Sequence, residues 1–293
     1  MHASEEKEPV TVVKIGGNAA VDAEGICDDV AQLVEEGRRV VIVHGGSAEI
    51  ERLADQMGVP QTKHVAPDGV TSRRTDEKTM EVVTLALAGS VKPKLIRALA
   101  RRGIRAMGMT GMDGHLIQAR RKKAQRAVVD GRTVLVRDNL AGTIEHVETG
   151  ILHLAMAQGI VPVISPPAMT LDGEALNVDA DRAAAAVAAA VGADELVLLT
   201  GADGVQAVPD DPSSVLSEVE VEPEGPPPRW ARGGMALKLV AAREALTGGV
   251  RRVIVANGRG SKPVREALDG SGTQVKIARS ERRAERRAAR RAA

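Results

Sequence analysis

Val10-Thr11-Val12-Val13-Lys14-Ile15-Gly16-Gly17 and, a little further on, Arg39-Val40-Val41-Ile42-Val43-His44-Gly45-Gly46 are the stretches on which the fold turns. Each is a short run dominated by β-branched residues, the pattern of a strand buried on both faces, and each stops at a glycine pair. Between them, residues 20–36 carry Ile26, Val30 and Leu33 at helical spacing and close at Gly37. Strand, helix, strand with glycines at both strand ends predicts a parallel sheet whose carboxyl ends gather ligand-binding loops.

Outward from that unit the alternation continues. Residues 76–101 read as helix, 104–109 as a strand running into Gly111-Met112-Asp113-Gly114, and 160–165 as a strand carrying Pro162 and stopped by Pro166-Pro167. Within residues 116–137, two strand-like segments flank Asp130-Gly131, a hairpin signal with basic residues on both arms, which predicts a sheet mixed at one edge. The second half repeats the theme with a helix over 179–191, a strand over Glu195–Thr200, a helix over 234–246 and a strand over 252–256. Residues 208–232, rich in Pro, Glu and Ser without an apolar period, read as a loop or lid. The fold expected is α/β, a three-layer αβα sandwich with a mainly parallel central sheet and β-hairpins on one side. Its divisions are an extension (1–9), a first lobe (10–170), a second lobe (171–279) and a basic tail (280–293). In the tail, Arg282, Arg286 and Arg290 fall at i,i+4 with no apolar face, as in a solvated appendage.

Composition narrows the function classes. The 293 residues balance 40 Lys+Arg against 39 Asp+Glu, with 43% hydrophobic and 27% charged, so no chain-wide bias toward nucleic acid or membrane exists. The single cysteine, Cys27, excludes an intramolecular disulfide framework, gives no second thiol for zinc, and reads as a helix packing residue. A charged amino terminus lacks the apolar region of a secretory signal, and the mostly-alanine run 183–193 is too short to span a bilayer. A cytoplasmic protein is expected. Phe and Tyr are absent and Trp230 stands alone, where average usage predicts on the order of twenty aromatics. The chain therefore reads as a recoded sequence in which Leu, Val, Met and Ala fill the volumes of rings, a swap that pattern tolerates better than shape does.

No Gly-x-x-x-x-Gly-Lys-Ser/Thr exists. In its place, Lys14 at a strand's carboxyl end, followed by Gly16 and Gly17, sets a cation and exposed N–H groups where phosphate oxygens can lie, although a plain turn gives the same pattern. The combination is more specific. Lys14-Ile15-Gly16-Gly17, Val43-His44-Gly45-Gly46, Ser72-Arg73-Arg74-Thr75-Asp76, Gly108-Met109-Thr110-Gly111, Asn177-Val178-Asp179-Ala180-Asp181, Gly234-Met235-Ala236-Leu237-Lys238 and Gly272-Thr273 occur in this order. Over residues 10–276 the chain resembles the amino acid kinase family, within it the acetylglutamate kinase branch, and most of all the kinases of aminoadipate or glutamate held on the acidic amino-group carrier protein LysW. Ser47-Ala48 after the second glycine pair, and Ser72-Arg73-Arg74-Thr75-Asp76, are the features resembling the carrier-linked group.

The resemblance implies phosphoryl transfer from ATP, as its Mg²⁺ complex, to a side-chain carboxylate, giving an acyl phosphate. It implies Lys14, Lys238 and Asp181 as the catalytic set, with Asp181 organising both lysines, although an acid at a helix N-terminus is favoured by the dipole alone. Lys14, Gly16, Gly17, Thr200 and Lys238 are implied on the ATP side; Gly45, Gly46, Arg73 and Asn177 are implied on the acceptor side, with Arg73 gripping a carboxylate through its fork. No metal-ligand set is legible. His44 reads as a hydrogen-bonded structural residue, since an ionised carboxylate nucleophile needs no base. An acidic carrier would meet the basic run Arg120-Arg121-Lys122-Lys123 with Arg126, Arg132 and Arg137, though an edge hairpin charged against aggregation looks the same. A homodimer built through the amino-terminal half is also implied.

Departures are visible. Lys92-Pro93 stands where the family has Asn-Lys, predicting a kinked or interrupted helix. Thr200-Gly201-Ala202 lacks the family's acid after the threonine, Asn257 replaces an aspartate, and Asp179 is an acid where Asn is frequent. Two alternatives stay open: a kinase of free N-acetylglutamate, and a recoded scaffold that binds the carrier without turnover.

Overall fold

Val10–Ile15 (β1), buried along its whole length, lies inside an eight-stranded sheet. The other strands are Arg39–His44 (β2), Ala106–Thr110 (β3), Val161–Ser165 (β4), Glu195–Thr200 (β5), Glu218–Val221 (β6), Arg252–Asn257 (β7) and Thr273–Ile277 (β8), in spatial order β6-β8-β7-β5-β1-β2-β4-β3. Neighbours are parallel except β7 and β8. The computed structural model describes residues 8–17, 23–65, 71–123, 125–129, 132–136, 138–209 and 211–278. The tail 280–293, most of the extension, the Asp130-Gly131 turn, Arg137 and the side chains of Arg126 and Arg132 lie outside the described residues.

The helices are Ala23–Glu35 (α1), Ser47–Met57 (α2), Glu77–Thr84 (α3), Lys92–Ala100 (α4), Gly150–Ala157 (α5), Ala180–Ala190 (α6), Gly233–Thr247 (α7) and Pro263–Leu268 (α8). Because successive strand residues point to opposite faces, Val13, Ile15 and Ile42 pack with α1, α4 and α8, while Val12, Val43 and Ile164 pack with α5, α6 and α7. This is the three-layer αβα arrangement. Aliphatic side chains, with Cys27 and the methionines Met80, Met109 and Met156, fill both layers; the largest fully buried ones are Ile and Leu. The same alternation sends Lys14 toward α6.

Four sequence expectations change. The hairpin arms Gln125–Val129 and Arg132–Val136 do pair, but they extend a separate sheet with Lys63–Val65 and Thr71–Arg73. The preceding segment, Ile117–Arg121, belongs to a third sheet with Gly142–Val147. The central sheet is therefore mixed at the opposite edge, where β8 reverses. Residues 208–232 are not wholly loop: Glu218-Val219-Glu220-Val221 alternates strictly, buries both valines and forms edge strand β6. Finally, Pro93 does not interrupt its helix. A π-turn, Leu85–Val91, joins α3 to α4, and Lys92 N–H reaches back to the Leu87 carbonyl. The widened turn makes room for a ring that would otherwise strike the carbonyl of Gly89.

Candidate active site

Three charged side chains from distant parts of the chain meet at the carboxyl end of β1. Lys14 comes from β1, Asp181 from the first turn of α6, and Lys238 from the second turn of α7. They are 4%, 5% and 9% exposed, so each charge depends on the others. Lys238 Nζ donates to Asp181 Oδ2 at 2.8 Å, and Lys14 Nζ stands 2.7 Å from Oδ1 as an ion pair lacking the angle of a hydrogen bond. Burial opposes the Asp181 carboxylate, but the two ammonium groups outweigh it and bring it down to about 2. Burial likewise opposes the Lys14 ammonium, and Asp181 overcomes that and holds it above its ordinary range. Lys238 is pushed down by burial and by Lys14. An ammonium has three N–H donors. Each lysine gives at most one to Asp181 and keeps the others for an anion.

Local structure explains the convergence. Asp179 caps α6, accepting from Arg182 N at 3.0 Å, and burial together with Asp181 pushes its carboxyl up. Arg182 grips Glu244 of α7 through two bonds of 2.9 and 2.7 Å, clamping the helices that carry Asp181 and Lys238.

Beside this cluster the two glycine pairs interlock. Gly45 N donates to Ile15 O at 2.9 Å; Ser47 Oγ and Ala48 N both donate to Gly17 O, at 2.9 and 3.0 Å. A Cβ on Gly17 would stand 2.3 Å from Gly46 N, and one on Gly46 would stand 2.5 Å from Leu87 Cδ2. Gly16 leads into this contact from β1.

On the acceptor side, Asn177 Nδ2 donates to Thr75 Oγ1 at 3.0 Å, and Thr75 Oγ1 lies 3.4 Å from the Arg73 carbonyl. The Arg73 guanidinium donates to Gln61 and lies 3.7 Å from Glu51; burial lowers its pKa against the pull of Glu51. On the other side, Thr200 ends β5 and its carbonyl accepts from Gly258 N at 2.7 Å. Among the described residues no hydrogen bond or ion pair ties the Arg73 guanidinium or Thr200 to the Lys14–Asp181–Lys238 cluster. Asp203 places a carboxylate in the loop after Gly201: Asn257 Nδ2 donates to it at 2.5 Å, while Arg259 N donates to Asn257 Oδ1 at 2.9 Å.

The basic run is less free than its sequence suggests. Arg120 pairs with Glu145 at 2.6 Å and Arg121 with Glu174 at 2.5 Å. Sequence reasoning took Ser47 only as a mark of the resemblance and missed its bond to the Gly17 carbonyl, and it missed the Arg182–Glu244 clamp. Ser47 was legible as the first helical residue after a glycine; the clamp joins residues 62 positions apart and left no local signal.

A family model described as the amino acid kinase family matches residues 9–257. The chain belongs to the amino acid kinase family. It is 39% identical over 267 residues to a [LysW]-aminoadipate kinase of Thermus thermophilus, covering 90% of this chain and 99% of that one. It is 36% identical over 253 residues to an acetylglutamate kinase of Moorella thermoacetica, covering 85% and 83%. Among solved structures, N-acetylglutamate synthase from Neisseria gonorrhoeae superposes with a TM-score of 0.72 at 24% identity, over 92% of this chain and 60% of that longer chain; this shares the fold alone. The amino acid kinase fold is thus common to proteins of several activities.

Proposed function

We propose that this amino acid kinase transfers the γ-phosphoryl group of ATP to the side-chain carboxylate of L-2-aminoadipate, or glutamate, carried on an acidic amino-group carrier protein in lysine or arginine biosynthesis. The observation that carries this reading is the meeting of Lys14 and Lys238 on Asp181, joined to the likeness to carrier-linked kinases. A carboxylate oxygen of the acceptor attacks the γ-phosphorus, the β,γ-bridging P–O bond breaks, and ADP leaves. No proton is moved. The protein's work is alignment and charge neutralisation.

Lys14 faces the transferring group, Lys238 the leaving β-phosphate side, and Asp181 holds both. Gly16, Gly17 and Gly46 lend backbone N–H groups; Gly45, expected to do the same, has its N–H taken by the Ile15 carbonyl and serves through its close approach to Gly17 instead. Thr200 lies on the nucleotide side in the second lobe (171–279); Arg73 and Asn177 serve the acceptor in the first (10–170). For Arg73 this requires exchanging Gln61 and Glu51 for the acceptor's carboxylate. Among the described residues no group of three or more His, Cys, Asp or Glu is placed to hold a metal, and both Asp181 oxygens face ammonium groups. Mg²⁺ therefore travels with the nucleotide as part of the substrate, liganded by its phosphates.

Exposed Ile151 and Leu154 on α5, together with edge strand β3, suit a homodimer through the first lobe. No helix among the described residues is long and apolar enough to cross a membrane, and we assign the reaction to the cytoplasm. ADP release with carrier-linked aminoadipate, against free N-acetylglutamate, tests the reading. Turnover with acetylglutamate alone would transfer the assignment to the second relative's reaction. Tight ATP and carrier binding without phosphate transfer would leave only a scaffold.

A further inference from the structure

His44 ends β2 on the sheet face opposite Lys14 and is wholly buried. Its Nε2 lies 2.8 Å from Ser165 Oγ at the end of β4, and its Nδ1 lies 3.0 Å from the Gly45 carbonyl oxygen. A carbonyl oxygen only accepts, so Nδ1 carries a proton. Burial, assisted by the charges of Lys92 and Lys14 and opposed by the bond to Gly45, pushes the imidazolium down to about 4. The ring is neutral at pH 7, Nε2 is a bare acceptor, and the Ser165 hydroxyl donates to it. The Leu87 carbonyl of the π-turn, 3.5 Å from Ser165 Oγ, is the hydroxyl's poorer alternative. The Nδ1–H tautomer satisfies both ring nitrogens, and the single Ser165 proton, spent on Nε2, forgoes the longer contact to Leu87 O.

That tautomer has a directional consequence. The Gly45 carbonyl and the Gly46 N–H belong to one trans peptide plane and point opposite ways. Anchoring the carbonyl to His44 fixes the direction of the Gly46 N–H, whose nitrogen lies beside Gly17 where the two glycine pairs touch. Unlike Gly45 N–H, which Ile15 accepts, the Gly46 N–H has no acceptor among the described residues. Leu87 and Val91 of the π-turn close the other side, 2.5 and 3.1 Å from a Cβ built on Gly46.

We propose that His44 is a positioning residue whose Nδ1–H, with Ser165 fixing the ring, holds the Gly45–Gly46 peptide so that the Gly46 N–H donates to an oxygen of the phosphoryl group in transfer. The inference rests on the kinase reading, and its test separates the two. In ¹⁵N-labelled protein, two-bond proton–nitrogen correlation reports the tautomer of His44, one of six histidines, assigned by its loss in His44→Asn. The wild type shows Nδ1–H. Steady-state kinetics then compare His44→Asn, which keeps an N–H at the Nδ1 position, with His44→Gln, which places its amide nearer Nε2. His44→Asn retains kcat within about five-fold, whereas His44→Gln loses on the order of 10²-fold, the scale for one lost transition-state donor, with KM for MgATP within about two-fold. Ser165→Ala, a milder change, lowers kcat about ten-fold and mixes the tautomers. An Nε2–H tautomer in the wild type, or rescue by Gln equal to that by Asn, overturns the proposal. If the wild type phosphorylates neither acceptor, the kinase reading fails and the spectrum alone decides the orientation of His44.

Discussion

Asp181→Asn removes a charge and almost no volume, which makes it the sharpest probe of the buried cluster. The Lys14 and Lys238 ammonium groups each stand within 2.8 Å of an oxygen of one carboxylate, so they are no more than about 8 Å apart. At a separation of about 6 Å and an effective dielectric near 20, their mutual repulsion is about 3 kcal/mol. Stranding buried charges by deleting their partner costs about 3–5 kcal/mol. That range is what we expect for Asp181→Asn at pH 7, from a total of about 5–15 kcal/mol in ordinary domains. Relief comes by proton loss from Lys238, whose ammonium is already pushed down. A lysine whose folded value lies below its unfolded one takes up more protons on unfolding, so its contribution to stability is lost as pH falls. The variant should therefore regain stability between pH 7 and 9 more steeply than the wild type. Urea unfolding at both pH values, for Asp181→Asn alone and with Lys238→Met added, measures this. The second change should restore part of the loss. Stability of Asp181→Asn within about 0.5 kcal/mol of the wild type at both pH values, the scale of an inert surface change, would show that the carboxylate does not bind the cluster together.

Four further outcomes are expected. Lys14→Ala and Lys238→Ala lower kcat far more than they raise KM for either substrate, and an unchanged kcat removes that lysine from the reaction. Arg73→Ala chiefly raises KM for the acceptor, as titration of acceptor concentration will reveal. Gly17→Ala forces a methyl to 2.3 Å from Gly46 N, so backbone must shift; thermal melting and ADP release should both fall, in contrast to Gly89→Ala, where nothing stands within 4 Å of the added methyl. His44, lowered to about 4 from 6.5, makes stability fully present above pH 6.5 and lost as pH falls toward 4, by about 3 kcal/mol; urea unfolding carried from pH 7 down to pH 4 should show that slope in the wild type and lack it in His44→Asn.

Much of this architecture was legible because its signals are local. The runs ending at Gly16-Gly17 and Gly45-Gly46 announce strands by composition and their ends by glycine, and the structure has both with the stated bounds. The motif order marked Lys14, Asp181 and Lys238 as a group, but only the folded chain brings their atoms within 3 Å of each other's partner. What escaped is non-local or brief. The four residues of β6 are too few to outweigh the prolines that follow them, although their alternation was there to be read. The π-turn needs no special residue of its own and shows itself only through the bond from Lys92 to Leu87. Arg120 and Arg121 looked free because Glu145 and Glu174, their partners, lie 25 and 53 residues away.

The alanine run of α6 sets the reach of the whole cluster. Ala183, Ala184, Ala185 and Ala188 are wholly or almost wholly buried, so, Val187 apart, little bulkier than a methyl spaces that helix from its neighbours, and the gap between packed elements follows the size of the side chains between them. Asp181 rides on this helix at a fixed height. Chain positions with no chemistry of their own thus act as the shim that brings two cations within grasp of one acid, and thickening that shim would silence the centre while leaving every polar group in the sequence.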